Sequence, residues 1–256
     1  MELFHFNESV LRLLAGGFLA MASAGLSSYF GYRSADRLPG ESRWPQCVFC
    51  YRPFRWTEIF PFLGWILRTH SIVLPCPCGK RTWLWPLPVA EMTGFLMGVA
   101  IVQIVGWKWE IIPLCFGLGL LPAIALIDLA FGLIPDGLNL LLGVFGLAWL
   151  FISDGGVFNG LMIASGLLLF SLLLAVVYSK WRGKEMLGLG DVKFFTAAGL
   201  WLPPMVVPWF LALAGILGVG VGLLWKRSGG GKEFPFAPAL CASLAVCVFY
   251  KLCSFY

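Results

Sequence analysis

Apolar runs about as long as a membrane is thick, parted by short polar breaks, set the pattern along this chain. The first runs from about Val10 to Tyr32, and a polar segment of roughly residues 33–86 follows. Further runs cover about 87–106, 111–130, 136–153, 157–179, 191–202, 205–225 and 236–254. A spanning helix needs about 20 apolar residues, and the alternation expected of an outer-membrane barrel is missing. The pattern therefore predicts an all-α polytopic membrane protein with about eight transmembrane helices. The 191–202 run is short and closed off by Pro203-Pro204. Three parts follow: a first transmembrane helix in 1–32, a cytoplasmic Cys-rich insertion in 33–86, and a membrane core of seven further helices in 87–256.

Composition agrees. The chain is 59% hydrophobic and 12% charged, against roughly 25% charged in a soluble domain, and its mean hydropathy is +0.86. Residues 1–9 carry Glu2 and Glu8 where a secretory signal has a basic stretch, so the first run reads as a retained helix. Arg12 near its outer end can snorkel. Within 33–86, the stretch Ile59–Leu67 is apolar but short and broken by Pro61, which suits the membrane interface.

The net charge of +5 says less than its placement. With the N-terminus outside, the 33–86 segment, the turn near 131–136, and the 180–193 and 226–235 loops face the cytoplasm. They hold 8, 0, 4 and 3 basic residues, which is 15 of the chain's 18. Cytoplasmic loops carry that excess, so the bias selects this topology. Asp128 and Asp191 then both lie at cytoplasmic helix ends, at similar depth.

Those two acids are the first candidate chemistry. Asp128 follows the apolar run Leu120–Ile127, and Asp191 opens a helix after Gly188-Leu189-Gly190. A carboxylate at mid-membrane costs on the order of 2.5–3.5 kcal/mol by insertion scales, and such groups usually face a polar cavity and have a function. Two facing carboxylates in a poorly solvated site cannot easily both ionise, so the pair titrates as a unit. In an aspartic protease the charged member activates water and the protonated one polarises the scissile carbonyl. Gly188 and Gly190, lacking Cβ atoms, allow a substrate backbone or another helix to come close. The structural alternative is that both acids cap helices or pair with Lys193 or Lys184. Asp136, in Ile134-Pro135-Asp136-Gly137, reads as a turn or helix start. Asp154 belongs to an outer, solvated loop.

The second constellation is Cys47-Val48-Phe49-Cys50 with Cys76-Pro77-Cys78-Gly79. Four cysteines in two knuckles in a reducing compartment read as a structural Zn²⁺ site better than as disulfides. His70 stands close enough in sequence to replace one thiolate. The other reading is four unpaired thiols in a small packed domain. Cys115, Cys241, Cys247 and Cys253 read as apolar packing. Gly94–Gly98 and Gly218–Gly222 match small-xxx-small helix packing. There is no P-loop, HExxH or GxSxG, nor a strand followed by GxGxxG, and nothing indicates a nucleic-acid partner.

Taken in order, these stretches resemble the bacterial type IV prepilin leader peptidases over nearly the whole chain. The core motifs match as Asp128 shortly before Ile134-Pro135-Asp136, and as Gly188-Leu189-Gly190-Asp191 followed by Lys193. Arg37–Ser42, the Cys47–Cys50 knuckle, Ile59–Trp65 and Pro88–Gly94 match the bifunctional members, although the CxC of Cys76 and Cys78 shortens the second knuckle and Phe60 replaces a common Asn. The resemblance implies a GxGD aspartic protease of the bacterial inner membrane, with Asp128 and Asp191 as its acids. Its substrates would be prepilins and pseudopilins of pilus assembly or secretion, cut at the cytoplasmic face after the Gly that ends a short basic leader. Bifunctional relatives then methylate the new N-terminus with S-adenosylmethionine, at a site the motifs do not locate. Three other classes compete: a peptidase with a purely structural cysteine domain, a proton-coupled transporter, and a zinc-bearing membrane adaptor. A transporter would more often show a repeat of broken helices, and no convincing repeat is present.

Overall fold

The computed structural model describes residues 2–35, 74–75, 81–82, 86–153, 156–182, 188–229 and 234–255. Cys47, Cys50, His70, Cys76 and Cys78 lie outside the described residues, as do Arg37–Ser42, Ile59–Trp65, Asp154 and Lys184. Among the described residues there are eight α-helices, in the order the apolar runs predict. They are α1 (Glu2–Ala35), α2 (Pro86–Val105), α3 (Ile111–Phe131), α4 (Asp136–Ile152), α5 (Val157–Arg182), α6 (Leu189–Gly199), α7 (Val207–Arg227) and α8 (Ala237–Phe255). A 3₁₀ turn, Pro204–Val206, joins α6 to α7. One antiparallel ladder pairs β1 (Leu74–Pro75) with β2 (Arg81–Thr82).

Among the described residues, five helices are long and apolar enough to cross a membrane: α1, α3, α5, α7 with its preceding turn, and α8. Apolar parts of α2 and α4 are 17 residues each, and α6 is shorter still at 11 residues. Such lengths suit a bundle whose shorter members lean on longer neighbours rather than each meeting lipid alone. The burial pattern agrees. The span of α3 is 67% buried, whereas those of α5 and α7 are 22% buried. Leu169, Ile216, Val219 and Leu224 on those outer helices are each more than 60% exposed, which is the surface that lipid tails cover.

Small residues set how closely the helices meet. A Cβ on Gly94 would stand 2.8 Å from the backbone oxygen of Ala20, and one on Gly98 would collide with the backbone of Gly16. The Gly94–Gly98 pair thus seats α2 on α1, as its spacing predicts. Ser23 of α1 donates to the carbonyl of Phe116 at 2.7 Å, tying α1 to α3. The second small-residue run behaves differently. At Gly218 a Cβ would meet the ring of Phe236 at 2.6 Å, and at Gly222 the nearest atoms belong to Phe234. That run accepts two aromatic rings from the segment leading into α8, not a helix backbone.

The short α6 is fastened at both ends to α4. At its far end the indole N–H of Trp201 donates to the carbonyl of Leu142 at 3.1 Å, and the ring stacks on Trp149 at 5.6 Å. At its near end Lys193 pairs with Asp136 at 2.6 Å. Gly199 lets it lie on α5, where a Cβ would come within 2.6 Å of Ala164. A helix of three turns is too short to span, so these attachments hold it in place. They also fix the depth of Asp191.

Candidate active site

Asp128 lies in the last turn of α3 and is 6% exposed. The helix ends three residues later, at Phe131, because Gly132 takes the left-handed conformation, with φ at 65°, and returns its N–H to the Asp128 carbonyl at 2.8 Å. Glycine adopts that conformation at no steric cost. The side chain turns inward to α8. Its Oδ2 accepts the backbone N–H of Ala237 at 2.8 Å, and the Phe236 amide is a second donor nearby. These groups open α8, where backbone N–H groups lack intrahelical partners and the helix dipole favours negative charge. Asp128 therefore closes the start of a helix more than 100 residues away.

Asp191 sits three residues past Gly188, the N-cap of α6, and is half-buried. Its Oδ2 accepts the Gly188 N–H at 3.3 Å, the reciprocal half of a capping arrangement. The apolar run had suggested a helix from 191 to 202. The helix in fact begins two residues earlier and ends at Gly199, which moves Asp191 from the cap into the first turn. The two glycines differ in use. A Cβ at Gly190 would approach that of Ile134 at 3.2 Å, so the Ile134-Pro135 turn packs directly on it. At Gly188 the nearest atom is Oδ2 of Asp191 itself, at 3.4 Å. Close approach by a neighbouring element thus explains Gly190 alone.

Both acids sit close enough to interact electrostatically with each other and with the Cys241 thiol. Cys241 is one turn into α8 and buried. The three groups come from three helices, α3, α6 and α8. Asp136 does not join them: it is 73% exposed and paired with Lys193, itself 50% exposed. That matches its reading as the start of α4, where it is the first helical residue. Along the flank, a groove of about 630 Å³ runs between α1 and the α3–α4 turn. Leu26, Phe30, Ile134, Leu138 and Leu141 line it, with Asp136 at its edge.

Sequence reasoning named the two acids but missed the groups around them. The burial of Cys241 fits its reading as apolar packing, yet its thiol also lies within electrostatic reach of both acids. Asn139 is buried and donates from Nδ2 to the carbonyl of Gly190 at 3.1 Å. An amide in an apolar helix is itself a signal of internal hydrogen bonding. The Ala237 N–H carries no signal in sequence, because every residue but proline has one. Among the described residues, no group of His, Cys, Asp and Glu is arranged to hold a metal.

Comparison with known proteins points to one family. Residues 115–223, which include both acids, match the type IV leader peptidase family. A prepilin leader peptidase/N-methyltransferase of Aeromonas hydrophila is 33% identical over 202 residues, covering 76% of this chain and 67% of that protein. A protein of the same name from Burkholderia pseudomallei (strain 1026b) is 30% identical over 215 residues, covering 80% of this chain and 66% of the relative. Another, from Dickeya chrysanthemi, is 31% identical over 204 residues, covering 72% and 65%. No solved structure matches the chain. The chain belongs to the type IV prepilin leader peptidase family.

The contact between Asp128 and α8 predicts a specific stability pattern. Asp128→Asn keeps an acceptor for the Ala237 N–H, whereas Asp128→Ala leaves that buried donor unpaired, at about 1–3 kcal/mol. In thermal unfolding of the detergent-solubilised protein, the Ala variant should melt below the Asn variant. Equal melting of the two would contradict the cap.

Proposed function

We propose that this protein is an aspartic endopeptidase that removes the leader from type IV prepilins and pseudopilins at the cytoplasmic face of the inner membrane. The observation that carries the reading is that Asp128 and Asp191, from two helices, lie within electrostatic reach of each other in a largely buried place. Two carboxylates that interact in a poorly solvated site cannot easily both ionise, so one of the pair keeps its proton. The ionised member takes a proton from water as the oxygen attacks the scissile carbonyl carbon. The protonated member donates to the carbonyl oxygen, and the tetrahedral intermediate collapses with a proton delivered to the leaving amine. The charge bias supports an orientation with the N-terminus outside, in which both acids lie at the cytoplasmic ends of their helices. There a basic leader stays in water while the apolar segment behind it lies in the bilayer, and the apolar groove beside Ile134 suits such a segment.

The same reading includes methylation of the new N-terminal amine, in keeping with the word N-methyltransferase in the relatives' names. S-adenosylmethionine supplies the methyl group for that step. It also includes one structural Zn²⁺ held by Cys47, Cys50, Cys76 and Cys78 in the 33–86 insertion. The β1–β2 ladder supports the second knuckle: Leu74 pairs with Thr82 and Pro75 with Arg81, which brackets Cys76 and Cys78 within a five-residue connection. Four thiolates complete a closed tetrahedral site of the structural kind.

Asparagine separates chemistry from capping at both acids, since its carbonyl caps a helix as well as a carboxylate does but cannot carry the shared proton. Asp128→Asn and Asp191→Asn should each accumulate in the membrane and lose prepilin cleavage by about 10⁴-fold, the scale seen when one member of a catalytic set is removed. Asp136→Asn should keep most of it, because its exposed ion pair is worth little. Full activity in Asp128→Asn, or its loss only in Asp136→Asn, would sink the assignment.

Metal analysis of the purified protein should find about one zinc per chain, the stoichiometry of a single tetrahedral site. Cys47→Ser should lose the metal and open 33–86 to proteolysis, because binding such a metal supplies folding energy. If His70→Ala releases zinc and Cys78→Ser does not, the fourth ligand is His70. Metal-free protein with a protease-resistant insertion would rule the zinc out.

A further inference from the structure

Asn139 stands in the first turn of α4, three residues beyond Asp136, and is 4% exposed. Its amide is oriented by its partner. The Gly190 carbonyl can only accept, so the nitrogen faces it at 3.1 Å and the oxygen faces the other way. That oxygen, Oδ1, is buried with no donor among the described residues. An unpaired buried acceptor works against stability, and an apolar residue of similar size would avoid it. The Gly190 carbonyl does not need Asn139 for its own satisfaction either, because a carbonyl at that position in α6 accepts an intrahelical bond from four residues on. The Asn139 bond is thus an additional one, made between helices.

Its effect is to fix Gly190 from a second side. A Cβ on Gly190 would stand 3.2 Å from that of Ile134, so the α3–α4 turn lies close on that side and limits movement of the backbone toward it. Asn139 keeps it from moving away from α4. The next residue is Asp191. Lys193 and Asp136 join the same two helices, but both are at least half exposed, so that pair cannot define position so closely. We propose that Asn139 is a positioning residue: by clamping the Gly190 carbonyl it holds the Asp191 carboxylate in place opposite Asp128. This inference rests on the peptidase reading above.

The test uses the full-length protein in detergent, with a prepilin as substrate, and compares Asn139→Leu and Asn139→Thr with the parent. Asn139→Leu removes both the clamp and the orphaned acceptor. It should melt no lower than the parent and keep a similar KM, while kcat falls by about 10²-fold, the scale of a small misplacement at a reacting centre. Asn139→Thr retains a donor and should fall between the two in kcat. Parent-like kcat in a folded Leu variant would overturn the proposal. So would a loss of kcat that only tracks the folded fraction, which is a structural role, or a rise in KM alone, which is substrate contact. If the Leu variant does not accumulate, the Thr variant decides: folded and cleaving measurably supports the clamp, folded and inactive overturns it. Failure of the peptidase reading shows separately, as full cleavage by Asp128→Asn and Asp191→Asn whatever the Asn139 variants do.

Discussion

A carboxylate inside a helical membrane bundle must find its hydrogen-bond donors within the protein, because hydrocarbon supplies none. Asp128 meets that requirement at the start of α8, through the Ala237 N–H, and much of the architecture follows. The last helix has to begin beside the end of α3. Just ahead of it, the rings of Phe234 and Phe236 lie against Gly222 and Gly218 of α7. Near the place where α8 starts, Asp128, Asp191 and Cys241 then lie within electrostatic reach of one another.

Asp191 is held by different means. Its helix is too short to span and gains its position from α4 and α5: Trp201 on Leu142, Gly199 on Ala164, and Asn139 on Gly190. Both acids thus have a structural duty, one capping a distant helix and the other its own. That duty does not compete with a catalytic one. Each carboxylate has a second oxygen, and a capping bond that fixes the first also fixes where the second can point. Pre-organised groups of this kind cost no reorganisation at the moment of reaction.

Much of this was legible in the chain. The eight helices follow from apolar runs and their polar breaks, because in a membrane the length and composition of a run decide its structure. The two acids stand out for the same reason: a charge at the end of an apolar run is costly unless it has a function. Gly94 and Gly98 were correctly read as a helix-packing pair. Other features depend on which faces meet, and spacing alone does not encode that. Gly218 and Gly222 share a spacing that suggests helix packing, yet they accept phenylalanine rings. Cys241 looks like any apolar cysteine until α8 is docked on α3. Asn139 was visible as an amide in an apolar helix, but its partner lies 51 residues away.

The central claim is that Asp128 and Asp191 work as one acid–base pair, with one proton between them. The dependence of kcat on pH for prepilin cleavage tests it most directly, since saturating substrate reports the groups that titrate in the bound complex. The account predicts a two-limbed profile, rate falling when the pair gains a second proton and again when it loses its only one, with both limbs belonging to the pair. A profile with a single limb in a stable, fully folded enzyme would mean that one acid acts alone, and would contradict the account.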